Sequence, residues 1–407
     1  MDAKEQTFRW ERWRAVSTGV IETASFTFLL LIAVRWFDAG ALAKSLIAGG
    51  ASAGLLLSPW ILHLVQKSGM TPSAASARLA LIGAASFAVM AAAPHLIVFT
   101  IGAVVALATL GGIAPMTTHI YHENYPARER GALFSRTVVV RIAVGALFAE
   151  AAGRALSGGR IGHFPWLLIA FAAAFAFAAF CLSRCPSTPL KSAAGTHPFR
   201  SLRYAKTDAL FRRLLICWMI FGVGNLMTLP LRVEYAANPK YGLNLSIGMV
   251  AMLTAVIPNV ARLATTWVWG RLFDRINFFV VRALVNTGLA LGIVIYFSSS
   301  TLTGLICGSI VFGMATSGGE VVWSLWVTKF APPERTADYM SVHTFFTGIR
   351  GLLAPFLGFF LVGLMPIKTL GWISGGLVFG SIFLLAGKIR RGEQTLNTRP
   401  EAAPQKL

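Results

Sequence analysis

The sequence is divided into apolar runs of about 20 residues, and this feature most constrains the fold. A run of that length is what an α-helix needs to cross the roughly 30 Å hydrocarbon core of a bilayer. Lipid offers no water to backbone amides and carbonyls, so a membrane-spanning chain must be helical or form a closed barrel. Barrel strands would be shorter and alternate in polarity. The runs therefore predict membrane-spanning helices.

We predict twelve such helices, numbered 1 to 12 along the chain. Their approximate ranges are 15–36, 41–66, 76–93, 96–121, 131–156, 164–184, 211–233, 243–268, 278–297, 301–328, 339–364 and 367–387. The resulting all-α membrane protein has four predicted parts. These are an N-terminal six-helix bundle (1–184), a cytoplasmic central loop (185–210), a C-terminal six-helix bundle (211–388) and a disordered cytoplasmic tail (389–407).

Composition supports a membrane protein and argues against other classes. Only 13% of the 407 residues are charged, whereas a soluble domain is about one quarter charged. The net charge of +20 comes from Lys and Arg spread through short loops, so no basic patch indicates nucleic-acid binding. The four cysteines lack zinc-binding spacing. The sequence contains no metalloprotease, hydrolase or nucleotide-binding motif that would indicate an enzyme. We expect neither a cofactor nor a metal.

The distribution of Lys and Arg predicts the orientation. With the N-terminus in the cytoplasm, 26 of the 36 Lys and Arg residues fall in cytoplasmic segments and seven in outer loops. The seven are Arg35, Lys44, Arg154, Arg160, Arg232, Lys240 and Lys368. Cytoplasmic loops are enriched in Lys and Arg. We therefore expect a multi-pass protein of the bacterial inner membrane with both termini in the cytoplasm.

The two halves of the sequence resemble each other. The residues Ala108-Thr109-Leu110-Gly111-Gly112 in helix 4 match Ala315-Thr316-Ser317-Gly318-Gly319 in helix 10 at an offset of 207 residues. At the same offset, Arg128 falls on Arg335 in the loop that follows. Helix 4 of one half thus corresponds to helix 10 of the other, which predicts two related blocks of six helices.

The segment after helix 8 carries the most informative motif. It reads Gly270-Arg271-Leu272-Phe273-Asp274-Arg275-Ile276-Asn277. This resembles the signature loop Gly-x-Leu-x-Asp-Arg-x-Gly of the major facilitator superfamily, with Asn277 in place of the last glycine. Together with the topology and the repeat, the resemblance extends over the whole chain. It implies twelve transmembrane helices in two pseudo-symmetric six-helix bundles.

The resemblance also implies a function, secondary transport by alternating access, with a site near the midplane between the halves. Signature-loop and gating roles are implied for Gly270, Leu272, Asp274, Arg275 and Arg335. The resemblance also implies that Asp274 meets the N-terminus of helix 11, where the positive end of the helix dipole stabilises its negative charge. The chain lacks the Gly-Pro pair that drug antiporters of the family carry in helix 5, which weakens a drug-efflux interpretation.

Ionisable residues inside a bilayer cost roughly 2.5–3.5 kcal/mol each unless they are paired or hydrated. Five such residues call for an explanation, namely Glu22, Arg141, Arg262, Glu320 and Arg350. Arg141 and Arg350 lie near the midplane in equivalent helices, and the two glutamates lie at similar depths. We therefore predict the pairs Glu22–Arg141 and Glu320–Arg350. Arg262 is nearer the inner end of its helix and is expected to extend to the membrane surface.

Two interpretations of these charges remain open. In the functional one, Arg141 and Arg350 bind an anionic group of a substrate, because a guanidinium matches a carboxylate or phosphate, and a glutamate carries a coupling proton. In the structural one, the pairs only neutralise each other and fix helix packing. Asn225 in helix 7 aligns with Glu22 and either faces the cavity or makes an inter-helix hydrogen bond.

We expect a small organic anion or acidic metabolite as the substrate of a monomeric carrier in the lipid bilayer, with a proton as the possible coupling ion. Export of amphipathic drug-like compounds is the alternative. A transport-dead receptor on the same fold is a further one.

Overall fold

The computed structural model describes residues 2–126, 128–190, 200–330 and 336–385, which form helices joined by short connections. Within these ranges, twelve helices are long and apolar enough to cross a membrane. They are α1 (Ala3–Arg35), α2 (Ala41–Ser68), α3 (Pro72–Ala92), α4 (Leu96–Asn124), α5 (Arg130–Leu156), α6 (Arg160–Ser183), α7 (Ala209–Ala237), α8 (Ile247–Phe273), α9 (Phe278–Ser298), α10 (Leu302–Trp323), α11 (Tyr339–Leu361) and α12 (Ile367–Leu385).

The predicted twelve-helix architecture is confirmed, but α1 begins at Ala3 rather than near residue 15. Its 33 residues are about 50 Å long, longer than the bilayer core is thick. The additional turns carry charges that are paired. Arg14 donates to both carboxylate oxygens of Glu11 at 2.7 Å each and to the hydroxyl of Tyr121 at 2.7 Å. Because these polar turns fail an apolarity criterion, the sequence alone did not predict them as part of the helix.

Parts of the predicted polar segments can be compared with the structure. Within the central loop, residues 200–207 form two short helical turns, Arg200–Arg203 and Tyr204–Thr207. The predicted tail (389–407) lies outside the described residues.

The helices pack in the same pattern within each half. In the N-terminal half, α1 packs against α5 and α6, α3 against α4 and α6, and α2 against α4. In the C-terminal half, α7 packs against α11 and α12, α9 against α10 and α12, and α8 against α10. Each of these contacts recurs six helices later, so the predicted pseudo-symmetry is confirmed.

The repeated glycine motif marks equivalent close approaches in the two halves. A Cβ atom added to Gly111 in α4 would lie 2.5 Å from the backbone nitrogen of Leu55 in α2. One added to Gly318 in α10 would lie 2.5 Å from the indole of Trp269 in α8. Small residues let helices approach closely where lipid provides no hydrophobic driving force. The motif therefore belongs to the packing of α2 on α4 and of α8 on α10.

The halves meet through α2 with α11, α5 with α8, and the last turns of α1 with α7. We call the end where α1 begins the terminal end and the opposite end the distal end. Among the described residues, every hydrogen bond and ion pair between the halves lies in the distal part. These bonds join Thr27 with Thr254, Arg35 with Leu245, Lys44 with Glu234, Ser45 with Pro355, and Ser157 with Gly248.

Towards the terminal end, α2 becomes more exposed. The contact face of α2 includes Ser52, which lies against Gly351, and Leu56, which lies against Gly348. Trp60 follows Leu56 by four residues on that face, yet it is 65% exposed. The contacts of α2 with α11 thus reach as far as Leu56, whereas Trp60 one turn further towards the terminal end is exposed.

Candidate functional site

The structure brings Glu22 of α1 and Arg141 of α5 together near the middle of the bundle. The distance from Nη1 of Arg141 to Oε1 of Glu22 is 3.0 Å, and each side chain is 27% exposed. The two helices can approach this closely because Gly19 lies one turn before Glu22, where a Cβ atom would overlap the carbonyl oxygen of Arg141. The predicted Glu22–Arg141 pair is therefore present, and it is partly open to solvent.

Glu320 pairs with Arg262, so the predicted Glu320–Arg350 pair is wrong. Arg262 donates to Oε1 of Glu320 and, at 2.7 Å, to Oδ1 of Asn259. The side chain of Arg262 is buried, so the expectation that it extends to the membrane surface is also wrong. The reason is topological: α10 packs along α8, whereas its contact with α11 is small. The acidic residue on α10 therefore meets the cation on α8.

These two pairs belong to one polar layer, which consists of Glu22, Arg141, Asn259, Arg262 and Glu320. A Cβ atom added to Gly145, one turn beyond Arg141 on α5, would lie 3.6 Å from Nδ2 of Asn259 on α8. The layer therefore crosses from the N-terminal to the C-terminal half. It offers both hydrogen-bond donors and acceptors from four helices, two from each half.

Two stretches of π-helix lie on the distal side of this layer. They cover Ala24–Phe28 in α1 and Met252–Val256 in α8. Each belongs to a different half, and they meet through a 3.0 Å hydrogen bond between the hydroxyls of Thr27 and Thr254. Single π-helical turns inside α-helices occur frequently at functional sites. The helix geometry thus departs from the regular α-form next to the polar layer.

Beyond the π-helical stretches, a buried ion pair closes the distal end, and we call it the distal seal. Nζ of Lys44 in α2 lies 2.8 Å from Oε1 of Glu234 in α7. Asn238 donates to the same oxygen at 2.8 Å, and the ring of Phe359 lies 5.2 Å from Nζ. Burial and the charge of Glu234 raise the pKa of nearby Tyr241, in the connection after α7, to about 12.

The distal seal could not be predicted while Lys44 was counted as an outer-loop cation. The residue is inside α2 and buried. Arg232, assigned to another outer loop, is likewise buried inside α7, where it donates to Ser309 at 2.9 Å. The available signal was a Lys and a Glu near the same ends of two predicted helices, but their proximity depends on the packing of α1, α2 and α7.

Arg350 lies apart from the polar layer and is 5% exposed. It donates to the carbonyl oxygen of Trp218, and its side chain fills the space beside Gly222 in α7. Its Cζ atom is 5.5 Å from the centre of the Trp218 ring. The Cζ atom of Arg282 is 3.5 Å from the same ring. Arg282 lies fully buried in α9.

These residues form a second group in the C-terminal half, which we call the arginine–tryptophan cluster. It consists of Trp218, Phe221, Arg282, His343 and Arg350. The imidazole of His343 is 5.1 Å from the Trp218 ring. The cluster is cationic and aromatic, in contrast to the balanced charges of the polar layer.

Asn225 in α7 occupies the position that the repeat makes equivalent to Glu22. Its side chain is half-buried, and its Oδ1 atom has no hydrogen-bond partner among the described residues. The inter-helix hydrogen bond is therefore not observed. Because α7 packs on α11 as α1 packs on α5, Asn225 replaces the carboxylate that would otherwise be expected opposite Arg350.

The signature segment is helical rather than a loop. The helix of α8 continues to Arg275 and includes Gly270 and Leu272. Only Ile276 and Asn277 connect it to α9, and Oδ1 of Asn277 accepts a 2.8 Å hydrogen bond from the amide of Phe279. The side chain of Asp274 and all of Arg335 lie outside the described residues. The contact of Asp274 with helix 11 therefore stays a prediction.

Comparison with known proteins gives a family and a fold. The family profile described as Major Facilitator Superfamily matches residues 15–355. No curated protein sequence matches the chain. The nucleoside transporter NupG is similar in structure, with a TM-score of 0.73 at 14% identity, covering 96% of this chain and 100% of that one.

Two further solved structures are similar. The xylose transporter XylE from E. coli, in a partially occluded inward open conformation, has a TM-score of 0.65 at 13% identity and covers 98% of both chains. The human organic anion transporter MFSD10 has a TM-score of 0.65 at 14% identity, covering 94% of this chain and 98% of that one. At these identities the likeness establishes the fold alone.

Proposed function

The chain belongs to the Major Facilitator Superfamily and is a multi-pass membrane transporter, and we propose that it moves a small organic anion together with a proton. The proposal rests mainly on the partly exposed Glu22–Arg141 pair in the polar layer between the halves. An arginine in a membrane is stable only with an anionic partner or water. Arg141 therefore requires an anionic partner, and in this structure that partner is Glu22.

Substrate binding would exchange the partner of Arg141. The carboxylate of the substrate takes the place of Glu22 at the guanidinium, which can bind a carboxylate through two parallel hydrogen bonds. The displaced Glu22 then takes up a proton, because a second negative charge beside one cation is unfavourable. One anion and one proton thus enter the layer together, and its net charge is unchanged. This exchange gives Glu22 the coupling role and Arg141 the binding role.

Other residues of the layer would orient the substrate. Arg262 is already satisfied by Glu320 and Asn259, so we assign it a supporting role. Glu320 remains exposed and can accept a hydrogen bond from a substrate hydroxyl or ammonium group. The free Oδ1 atom of Asn225 offers a further acceptor. We do not assign Arg350 to the substrate in this conformation, because it is buried against α7.

The shape of the molecule supports alternating access. The distal seal and the contacts of α2 with α11 and of α5 with α8 join the halves at one end, and no hydrogen bond or ion pair between described residues joins them at the terminal end. With both termini in the bacterial cytoplasm, as the basic residues predict, this is an inward-facing state. In the opposite state, the signature segment with Asp274 and Arg275, together with Arg335, would hold the terminal ends of the halves together.

A thermal-stability screen of the purified protein tests the substrate assignment. The panel contains acetate, lactate, succinate, citrate and phosphate, with uncharged sugars and nucleosides for comparison. We expect one or more organic anions to raise the melting temperature of the parent and to have no such effect on Arg141→Gln. The control variant is Arg271→Gln, since Arg271 is exposed over the Trp267 ring. Equal stabilisation of the parent and Arg141→Gln would refute the site.

A further inference from the structure

The arginine–tryptophan cluster contains two guanidinium groups that share one aromatic ring. The Cζ atom of Arg282 is 3.5 Å from the centre of the Trp218 ring and 4.3 Å from that of Phe221, and the Cζ atom of Arg350 is 5.5 Å from Trp218. Arg282 is 2% exposed, Arg350 is 5% exposed, and His343 is 1% exposed. All three side chains are therefore removed from solvent.

Their hydrogen-bonding capacity is largely unused. Neither Nη1 nor Nη2 of Arg282 has a hydrogen-bond partner among the described residues, and the same holds for Nε of Arg350 and Nε2 of His343. The thiol of Cys217 lies beside Arg282, but sulfur is a weak acceptor. The one hydrogen bond of Arg350 goes to the Trp218 carbonyl oxygen. Buried donors without partners cost free energy, so this group of donors indicates that an acceptor is missing.

The charge of the cluster is also not balanced. The ion pairs formed by described residues involve other cations, and none includes Arg282 or Arg350. In the N-terminal half, the equivalent arginine, Arg141, is neutralised by Glu22, whereas the C-terminal half has Asn225 at the matching position. A desolvated cation–π contact offsets only part of the cost of burying an ion. Contacts with aromatic rings therefore leave two buried positive charges largely uncompensated.

We propose that the arginine–tryptophan cluster binds one small inorganic anion of the size of chloride, at a site separate from the polar layer. The packing sets the size. A Cβ atom on Gly222 would already overlap the Arg350 side chain, and Arg282 lies in contact distance of the indole. A halide accepts hydrogen bonds from any direction, so it can collect the free N–H groups of both arginines. An organic anion would require a larger opening than this packing leaves.

Equilibrium binding of radioactive chloride to the purified full-length protein tests the proposal. We expect saturable binding of one chloride per chain, displaced by bromide. Arg282→Gln should weaken this binding by about tenfold or more, because it removes the charge and the two unpaired Nη donors that the anion would use. Arg271→Gln should bind like the parent, since its exposed guanidinium stacks on Trp267 at 4.6 Å outside the cluster. Size-exclusion chromatography verifies that each variant is folded.

A second measurement keeps the proposal falsifiable if Arg282→Gln does not fold. Crystals or grids of the parent prepared in bromide should show density between Arg282 and Arg350. Either of two results would overturn the proposal: no chloride binding by the folded parent, or unchanged chloride binding by Arg282→Gln. The two arginines would then be stabilised only by their aromatic contacts. The result is independent of the transport proposal, because Arg141→Gln should still bind chloride while losing its response to organic anions.

Discussion

Lys44 in α2 and Glu234 in α7 form a buried ion pair, 2.8 Å from Nζ to Oε1, across the boundary between the two halves of the molecule. The pair lies beyond the polar layer, at the end where the halves are in contact. Opening that end requires its two charges to separate and become hydrated. The pair thus links the stability of this conformation to the side on which the central site is closed.

Removing one partner of the distal seal should destabilise the protein strongly. We expect Lys44→Met to lower the free energy of unfolding by roughly 3–5 kcal/mol, because it leaves the Glu234 charge buried without its cation. The double variant Lys44→Met/Glu234→Leu should recover most of this loss. The control is Arg154→Met, whose pair with Glu150 is exposed and should cost less than about 1 kcal/mol. Unfolding in mixed micelles measures all three. A loss for Lys44→Met no larger than for Arg154→Met would contradict the assignment.

A single methyl group beside Arg350 should disturb the arginine–tryptophan cluster. In Gly222→Ala the new Cβ atom would overlap Cδ and Nε of Arg350, so we expect a loss of about 1–3 kcal/mol in the free energy of unfolding from overpacking. Gly376→Ala is the matched control, because a Cβ atom there meets nothing within 4 Å. It should be neutral or slightly stabilising, since alanine favours a helix. Equal effects of the two substitutions would show that Arg350 is not confined as described.

The proposed exchange at Arg141 predicts a specific dependence on pH. For the parent, binding of a stabilising organic anion should strengthen as pH falls, because a protonated Glu22 leaves Arg141 free. In Glu22→Gln the binding should be as tight as in the parent at acidic pH and nearly independent of pH. Calorimetric titration across the acidic to alkaline range measures this, with Glu150→Gln as the control. A parent-like pH dependence in Glu22→Gln would show that another group carries the proton.

The sequence could predict how deep a charged residue lies in the membrane, but not which helix it contacts. Each residue advances a helix by 1.5 Å, so the depths of Glu22 and Arg141 in the membrane could be estimated, and their helices are direct neighbours. Depth does not identify the neighbouring helix. Glu320 and Arg350 lie at compatible depths, yet α10 packs along α8, so Glu320 meets Arg262 instead. The repeat, applied consistently, would have paired the helix of Arg350 with that of Asn225.

Predicting helices from apolar runs also omitted polar helical turns and assigned some buried cations to loops. The first turns of α1 are polar and were omitted, although Arg14, Glu11 and Tyr121 satisfy one another there. Lys44 and Arg232 were assigned to loops because charged residues near span ends usually belong to them. Both are buried inside helices. Their partners are the carboxylate of Glu234 and the hydroxyl of Ser309, which only the packing brings close.

Uptake into proteoliposomes tests the central claim most directly. The protein is reconstituted, and the organic anion that most raises its melting temperature is supplied radiolabelled outside, with an inward proton gradient and no membrane potential. We predict accumulation above equilibrium by the parent, no uptake by Arg141→Gln, and uptake without proton-driven accumulation by Glu22→Gln. Accumulation by Arg141→Gln at the rate of the parent, or no uptake of any anion in the panel by folded parent protein, would contradict it.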